Sequence, residues 1–171
     1  MKFSKRLIKG KFIKRYKRFF ADIKLNKEII TAHCPNTGSM MGLLNINNDV
    51  WISKNNDPKR KLKFTLEIIK VKNNLVGVNT HFANKIVYHG LSNNLINEFK
   101  KCDYIKPEFF FNKKTRFDFL VQKKNQKIFV EVKNVTLFRE EKIAEFPDAI
   151  TSRGSKHLKT LIEAIKKGYK S

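Results

Sequence analysis

Arg116-Phe-Asp-Phe-Leu-Val-Gln122 and Lys127-Ile-Phe-Val-Glu-Val-Lys133 flank the polar tetrapeptide Lys123-Lys-Asn-Gln126, and together they read as a β-hairpin. If Gln122 pairs with Lys127, Leu120 faces Phe129 and Asp118 faces Glu131. Side chains alternate along a strand with period two, so Arg116, Asp118, Glu131 and Lys133 share one face. Phe117, Phe119, Val121, Ile128, Val130 and Val132 form the other, which is wholly apolar and is expected to be core. Carboxylates directly opposite each other start about 5 Å apart and repel. A divalent cation resolves that repulsion, because Mg²⁺ is held by one or two carboxylates together with water and phosphate. Lys133 then stands where it can steer an attacking water or neutralise phosphate charge. A solvated face on which Arg116 and Lys133 neutralise the acids is the alternative, and spacing alone leaves both open.

The chain has 171 residues, enough for one large domain or two small ones, and its 15 Phe supply ample core material. A net charge of +22 points to nucleic acid or another polyanion. That signal is discounted by composition: Lys outnumbers Arg 30 to 7, and Asn and Ile number 17 each, the residues that A/T-rich codons favour. Cys34 and Cys102 belong to no C-x-x-C pattern, so reduced thiols are expected rather than a disulfide framework or a zinc site. The basic start Met1-Lys-Phe-Ser-Lys-Arg6 lacks a signal-peptide core, and no run approaches the ~20 apolar residues of a membrane span. A soluble, cytoplasmic protein without a membrane partner is the expectation.

Short strands are expected at Leu7–Ile13, Arg18–Leu25, Glu28–His33, Asp49–Ser53, Phe64–Val71 and Leu75–Asn79, separated by Asn-, Gly- and Pro-containing turns. Their number and spacing suit a small OB-like barrel over residues 1–82, with Trp51 in its core. From 83 to 171 the order is α-β-β-β-α. Leu91, Leu95, Ile96 and Phe99 fall on one face of a helix ending near Cys102. Strands follow at Tyr104–Phe111, 116–122 and 127–133, then a loop, Phe138–Pro147. Leu158, Leu161, Ile162 and Ile165 are the expected buried stripe of the last helix. A helix after a strand usually returns to a parallel strand, yet no strand-like run follows Gly168-Tyr-Lys-Ser171, so this α/β domain is expected to be shortened.

Several segments resemble the sugar fermentation stimulation protein family (SfsA). They are Arg15-Tyr-Lys-Arg-Phe-Phe-Ala-Asp22, His33-Cys-Pro-Asn-Thr-Gly-Ser-Met40, Lys59-Arg-Lys61, Val78-Asn-Thr80, Arg116-Phe-Asp-Phe119, Val130-Glu-Val-Lys-Asn-Val-Thr-Leu137 and Phe146-Pro-Asp-Ala-Ile-Thr-Ser-Arg-Gly-Ser-Lys-His-Leu158. The resemblance implies an N-terminal OB-like barrel followed by a PD-(D/E)xK nuclease-like domain, hence a mixed α+β chain. It implies DNA binding and a link to the regulation of sugar, notably maltose, utilisation. It also carries the nuclease roles onto Asp118 and Glu131 as ligands of Mg²⁺ or Mn²⁺ and onto Lys133 as the water's helper. Glu108 is the preferred further ligand and Glu98 the second.

Lys14, Arg15, Tyr16, Lys17 and Arg18 precede Phe19 at a strand junction, where cations can grip phosphates and a ring can stack a base. A solvated turn with its rings in the core is the competing reading. Asn36 and Thr37 lie in a Pro-Asn-Thr-Gly-Ser turn whose backbone can meet an anion, or which simply turns. Arg60, Lys61 and Arg116 join the expected nucleic-acid contacts, as do Arg153 and His157, four residues apart on a helix face away from Leu158 and Leu161. Thr151 or Ser152 would cap that helix. His33, His81 and His89 lie in separate segments and read as structural. Neither a P-loop nor a dinucleotide fingerprint is present, so no small-molecule cofactor is expected. A DNA-binding regulator and a metal-dependent nuclease both fit, and oligomeric state is not readable.

Overall fold

The computed structural model of the protein describes residues 2–113, 115–137, 145 and 152–171, with Arg153 described by its backbone alone. The chain forms two compact units, Met1–His81 with Asn134–Ala149, and Phe82–Lys133 with Ile150–Ser171. The expected loop Phe138–Pro147 and the Thr151 cap lie outside the described residues, apart from Glu145, whose N–H donates to the Leu137 carbonyl.

The first unit is built from β1 (Ile8–Tyr16), β2 (Phe20–Leu25), β3 (Glu28–His33), β4 (Asp49–Lys54), β5 (Phe64–Val71) and β6 (Asn74–Gly77). Its sheet order is β3-β2-β1-β4-β5-β6, and a parallel pairing of β3 with β5 closes five of those strands into an OB barrel. Alternation points Ala21 and Ile23 on β2 and Val50 and Ile52 on β4 inward, and on β5 an irregularity at Glu67 resets it so that Leu66 and Ile69 face them; all six are fully buried. Trp51 falls on the opposite face from Val50 and Ile52. It is half-buried beneath the Lys9 ammonium rather than in the core, which corrects the expectation for it. Glu67, buried on β5, accepts hydrogen bonds from Ser53 Oγ at 2.6 Å and Asn79 Nδ2 at 2.7 Å, so its charge is solvated internally.

The second unit opens with α1 (Ala83–Ser92), shorter and earlier than the expected helix. Asn94 adopts φ +55°, its N–H bonds Leu91 O, and Leu95 N–H bonds Gly90 O at 2.9 Å. That is a Schellman ending with Asn in the left-handed position. Leu95 is therefore expelled from the helix and exposed, while Ile96 still packs beside Leu91. A 3₁₀ turn, Asn97–Phe99, leads to β7 (Tyr104–Asn112), β8 (Thr115–Lys123), β9 (Gln126–Val130) and α2 (Ser152–Lys166).

Gln122 pairs with Lys127 and Leu120 with Phe129, the register read from the turn. Phe119 and Val121 pack with Leu91, whereas Leu120 and Phe129 pack with Leu161 and Ala164 of α2. The hairpin face that carries the acids is thus apolar in its middle and covered by α2. The stripe expected on α2 is rotated: Leu158, Ile162 and Ile165 are more than half exposed, while Thr160 and Ala164 are buried. Small and polar residues let the helix approach a sheet crowded with Phe rings, among them Phe117 and Phe129 with centroids 5.2 Å apart. After α2 the chain does return to the sheet. Lys170 makes one isolated parallel bridge to Ile128, taking Phe129 N–H at 2.8 Å and giving its own N–H to Lys127 O at 3.1 Å, while no further strand follows α2 among the described residues, as expected.

Gly10 lies where β1 meets β2 most closely. A Cβ there would stand 2.6 Å from Ile23 Cγ2, 2.7 Å from Leu25 Cδ2 and 3.0 Å from Lys24 O. Ile23 is fully buried and branched at Cβ, so it has little room to yield. Gly10→Ala is predicted to lower stability by about 1–3 kcal/mol in urea denaturation; an unchanged midpoint would contradict this packing.

Candidate functional site

β9 ends at Val130, three residues before Lys133, because the Asp118 side chain takes over from the ladder. Asp118 Oδ2 accepts the Val132 N–H at 2.7 Å, and Oδ1 accepts Asn84 Nδ2 of α1 at 2.8 Å. Phe119 opposite Val130 is the last ladder pair, and one further step in register sets Asp118 opposite Glu131. The Asp118 carboxylate is thereby oriented by two donors from different elements. Asn84 was not singled out in the sequence; only its place in the first turn of the helix before the hairpin could have drawn attention to it.

Glu131 is the most buried acid of the group, its side chain 8% exposed. Its Oε1 meets both Lys133 Nζ and His157 Nδ1. Its Oε2 is buried and has no hydrogen-bond partner among the described residues. A buried carboxylate oxygen left in this state loses hydration without compensation unless something binds it. His157 reaches Glu131 because α2 turns it toward the sheet with Leu161, not outward as expected. It also lines a cleft of about 590 Å³ with Lys113, Thr115, Arg116, Ser152 and Lys156. On the other side, Glu131 lines a cleft of about 410 Å³ together with Glu98.

Asp118, Glu131, Lys133 and His157 are therefore gathered at one end of the hairpin. Glu108 is not. It sits at φ +53° on β7, skipped by the pairing with β8, and its carboxylate binds Arg116 Nε at 2.8 Å. The register runs unbroken across Glu108 and would set it opposite Asp118; the left-handed backbone at this one residue redirects the side chain instead. Among the described residues no three His, Cys, Asp or Glu side chains form a group able to hold a metal by themselves. A pair of carboxylates with an unpartnered buried oxygen still fits a hard cation that keeps water or phosphate in its other positions.

The barrel residues divide differently from expectation. Arg15 donates to the carbonyls of Asn36 at 2.7 Å, Ser39 at 3.4 Å and Arg18 at 3.1 Å, so it braces loops. Asn36 is buried, and its Oδ1 accepts Gly38 N–H, the turn reading of that segment. Lys14 and Tyr16 both reach Asp22, and Tyr16 stacks on Phe20. Lys17, Arg18, Thr37 and Lys61 are exposed. Of Arg153 only the place in α2 is described. Among the described residues no helix is long and apolar enough to cross a membrane.

Residues 13–78 match the family model described as the SfsA N-terminal OB domain, and residues 81–171 match that of the sugar fermentation stimulation protein RE domain. The chain belongs to the sugar fermentation stimulation protein family. It is 77% identical to the sugar fermentation stimulation protein homolog of Pelagibacter ubique, over all of this chain and 74% of that one. The Synechocystis homolog is 47% identical over 93% of this chain and 69% of its own length. Among solved structures it resembles Pyrococcus furiosus SfsA in complex with Ca²⁺, with a TM-score of 0.85 and 25% identity over 99% of this chain and 71% of that one.

His33, half-buried on β3, is held below its ordinary value of 6.5, first by burial and then by the charges of Arg60 and His81. The unfolded chain therefore takes up this proton before the folded one. Stability contributed by neutral His33 is complete above about pH 6.5 and is lost as pH falls toward the lower folded value. Thermal midpoints of the parent should drop between about pH 7 and about pH 5 more steeply than those of His33→Gln. Parallel curves would show that His33 titrates alike in both states.

Proposed function

We propose that this family member binds nucleic acid, DNA foremost, and hydrolyses its phosphodiester bonds with Mg²⁺ or Mn²⁺ at the hairpin end. One observation carries the reading: a buried Glu131 Oε2 with no partner among the described residues, beside Asp118, Lys133 and His157, next to a cleft lined by Lys113, Arg116 and Lys156. The Ca²⁺ of the Pyrococcus furiosus relative supports it, since Ca²⁺ and Mg²⁺ are both hard cations that seek oxygen.

Hydrolysis joins a water oxygen to phosphorus and breaks the bond to the leaving oxygen, which needs a proton. A cation held by Asp118 and Glu131 would neutralise charge on the phosphate and acidify a water. Asn84 and the Val132 N–H keep the Asp118 carboxylate in one orientation. Lys133, adjacent to Glu131, stands where it can orient the attacking water and stabilise growing negative charge. The cations of the cleft would hold the phosphate in place.

A second reading, binding without cleavage by a regulator of sugar (maltose) utilisation, is favoured by the net charge of +22 and by the contacts that Lys133 and His157 already make to Glu131 Oε1. The two readings separate in a cleavage assay on single- and double-stranded DNA and RNA with Mg²⁺ or Mn²⁺. Metal-dependent cleavage reduced about 10²-fold or more in both Asp118→Ala and Lys133→Ala is the expected result. Retained binding with no cleavage by the parent would leave the regulator. Affinity should also fall steeply and linearly on a log–log salt plot.

A further inference from the structure

We propose that the barrel has its own site for single-stranded nucleic acid, in which an unpaired base stacks on Phe19 and the neighbouring phosphate is met by Arg60 and His81. The proposal rests on the reading that the protein binds nucleic acid, and names which form of it the first unit takes.

Phe19 follows the tip of the β1–β2 turn and is 46% exposed. It is not a loose side chain. Its backbone carbonyl accepts the Cys34 N–H at 2.7 Å, and its ring lies nearly parallel to that of His33, 12° apart with centroids at 6.5 Å. One face is thus backed by an aromatic ring, and the ring keeps substantial open surface. His33 pairs with Thr65 where β3 and β5 close the barrel, and Thr65 Oγ1 accepts Arg60 Nη2 at 3.2 Å. That bond draws the β4–β5 loop toward the same strand end. Thr80, the neighbour of His81, donates its hydroxyl to the Pro35 carbonyl at 3.1 Å, two residues past His33, and the charges of Arg60 and His81 both bear on His33. The turn before Phe19 brings Lys17 and Arg18, both exposed and both in the left-handed region at φ 46° and 61°.

An anchored aromatic platform ringed by cations is the combination that single strands recognise. OB barrels use the turn after their first strand and the loop between the fourth and fifth for oligonucleotides, and Phe19 and Arg60 occupy those loops here. A duplex keeps its bases stacked on one another and offers no ring face to Phe19. Arginine and histidine without a platform would bind duplex and single strand alike through phosphate. The platform is what selects the single strand.

The test is fluorescence anisotropy with a labelled thymidine oligonucleotide of about 12 residues and a duplex hairpin of matching charge. EDTA is present so that no strand is cut. Phe19→Ala should weaken the oligonucleotide about 5- to 150-fold and leave the duplex unchanged, and Phe19→Tyr should retain parental affinity. Equal oligonucleotide affinity in the parent and Phe19→Ala, or equal losses on both probes, would overturn the proposal while leaving nucleic-acid binding intact. Failure of the parent to bind either probe at low salt would overturn both.

Discussion

The second unit depends on one hydrogen bond, from the Val132 N–H to the Asp118 carboxylate. It replaces a backbone acceptor with a side chain where the β8–β9 ladder stops. Had the ladder continued, Val132 would have paired with backbone and Asp118 would have been free to turn to solvent. Instead the acid is fixed by β9 on one side and by Asn84 of α1 on the other. The next residue back along the chain, Glu131, is held at the same place and pressed under α2 by the packing of Leu161 and Ala164 on Phe129. Three elements thus fix two carboxylates that would otherwise move apart.

Burial gives that arrangement its chemical consequence. Glu131 is nearly covered, so its charge must be compensated within the protein. Lys133 and His157 both meet its Oε1, while Oε2 has no hydrogen-bond partner among the described residues. Removing one partner of such a buried group exposes the whole desolvation penalty, which is why Lys133, Glu131 and His157 form a unit rather than three independent contributions. The barrel is organised otherwise. Its buried Glu67 is fully satisfied by Ser53 and Asn79, and its accessible chemistry lies in turns around the closure of β3 on β5.

What could be read from the sequence follows the range of the interactions involved. The β8–β9 register was legible because a short polar turn fixes it, and alternation then separates Phe119 and Val121 from Leu120 and Phe129, although Phe117 departs from it and packs with Leu120 and Phe129. The barrel strands were legible for the same reason. The end of α1 was misread, because Leu95 continues the apolar spacing while Asn94 has already left the helix. The stripe of α2 was misread because periodicity favours the largest apolar residues, whereas contact with a Phe-rich sheet favoured Ala164 and the His157–Glu131 pair. Glu108 was misplaced by a positive φ at a non-glycine strand residue, which no local pattern announces. His33, Thr65 and Arg60 come together only through the closure of β3 on β5, a neighbourhood that separations of tens of residues hid.

The claim on which the rest turns is that Asp118 and Glu131 share a divalent cation. Titration calorimetry with Mn²⁺, in the absence of nucleic acid, measures this directly. One binding event in the parent, abolished in both Glu131→Gln and Asp118→Asn while the two variants keep the parent's circular dichroism, is the predicted result. Identical isotherms for parent and variants, or no heat of binding by the folded parent, would contradict it.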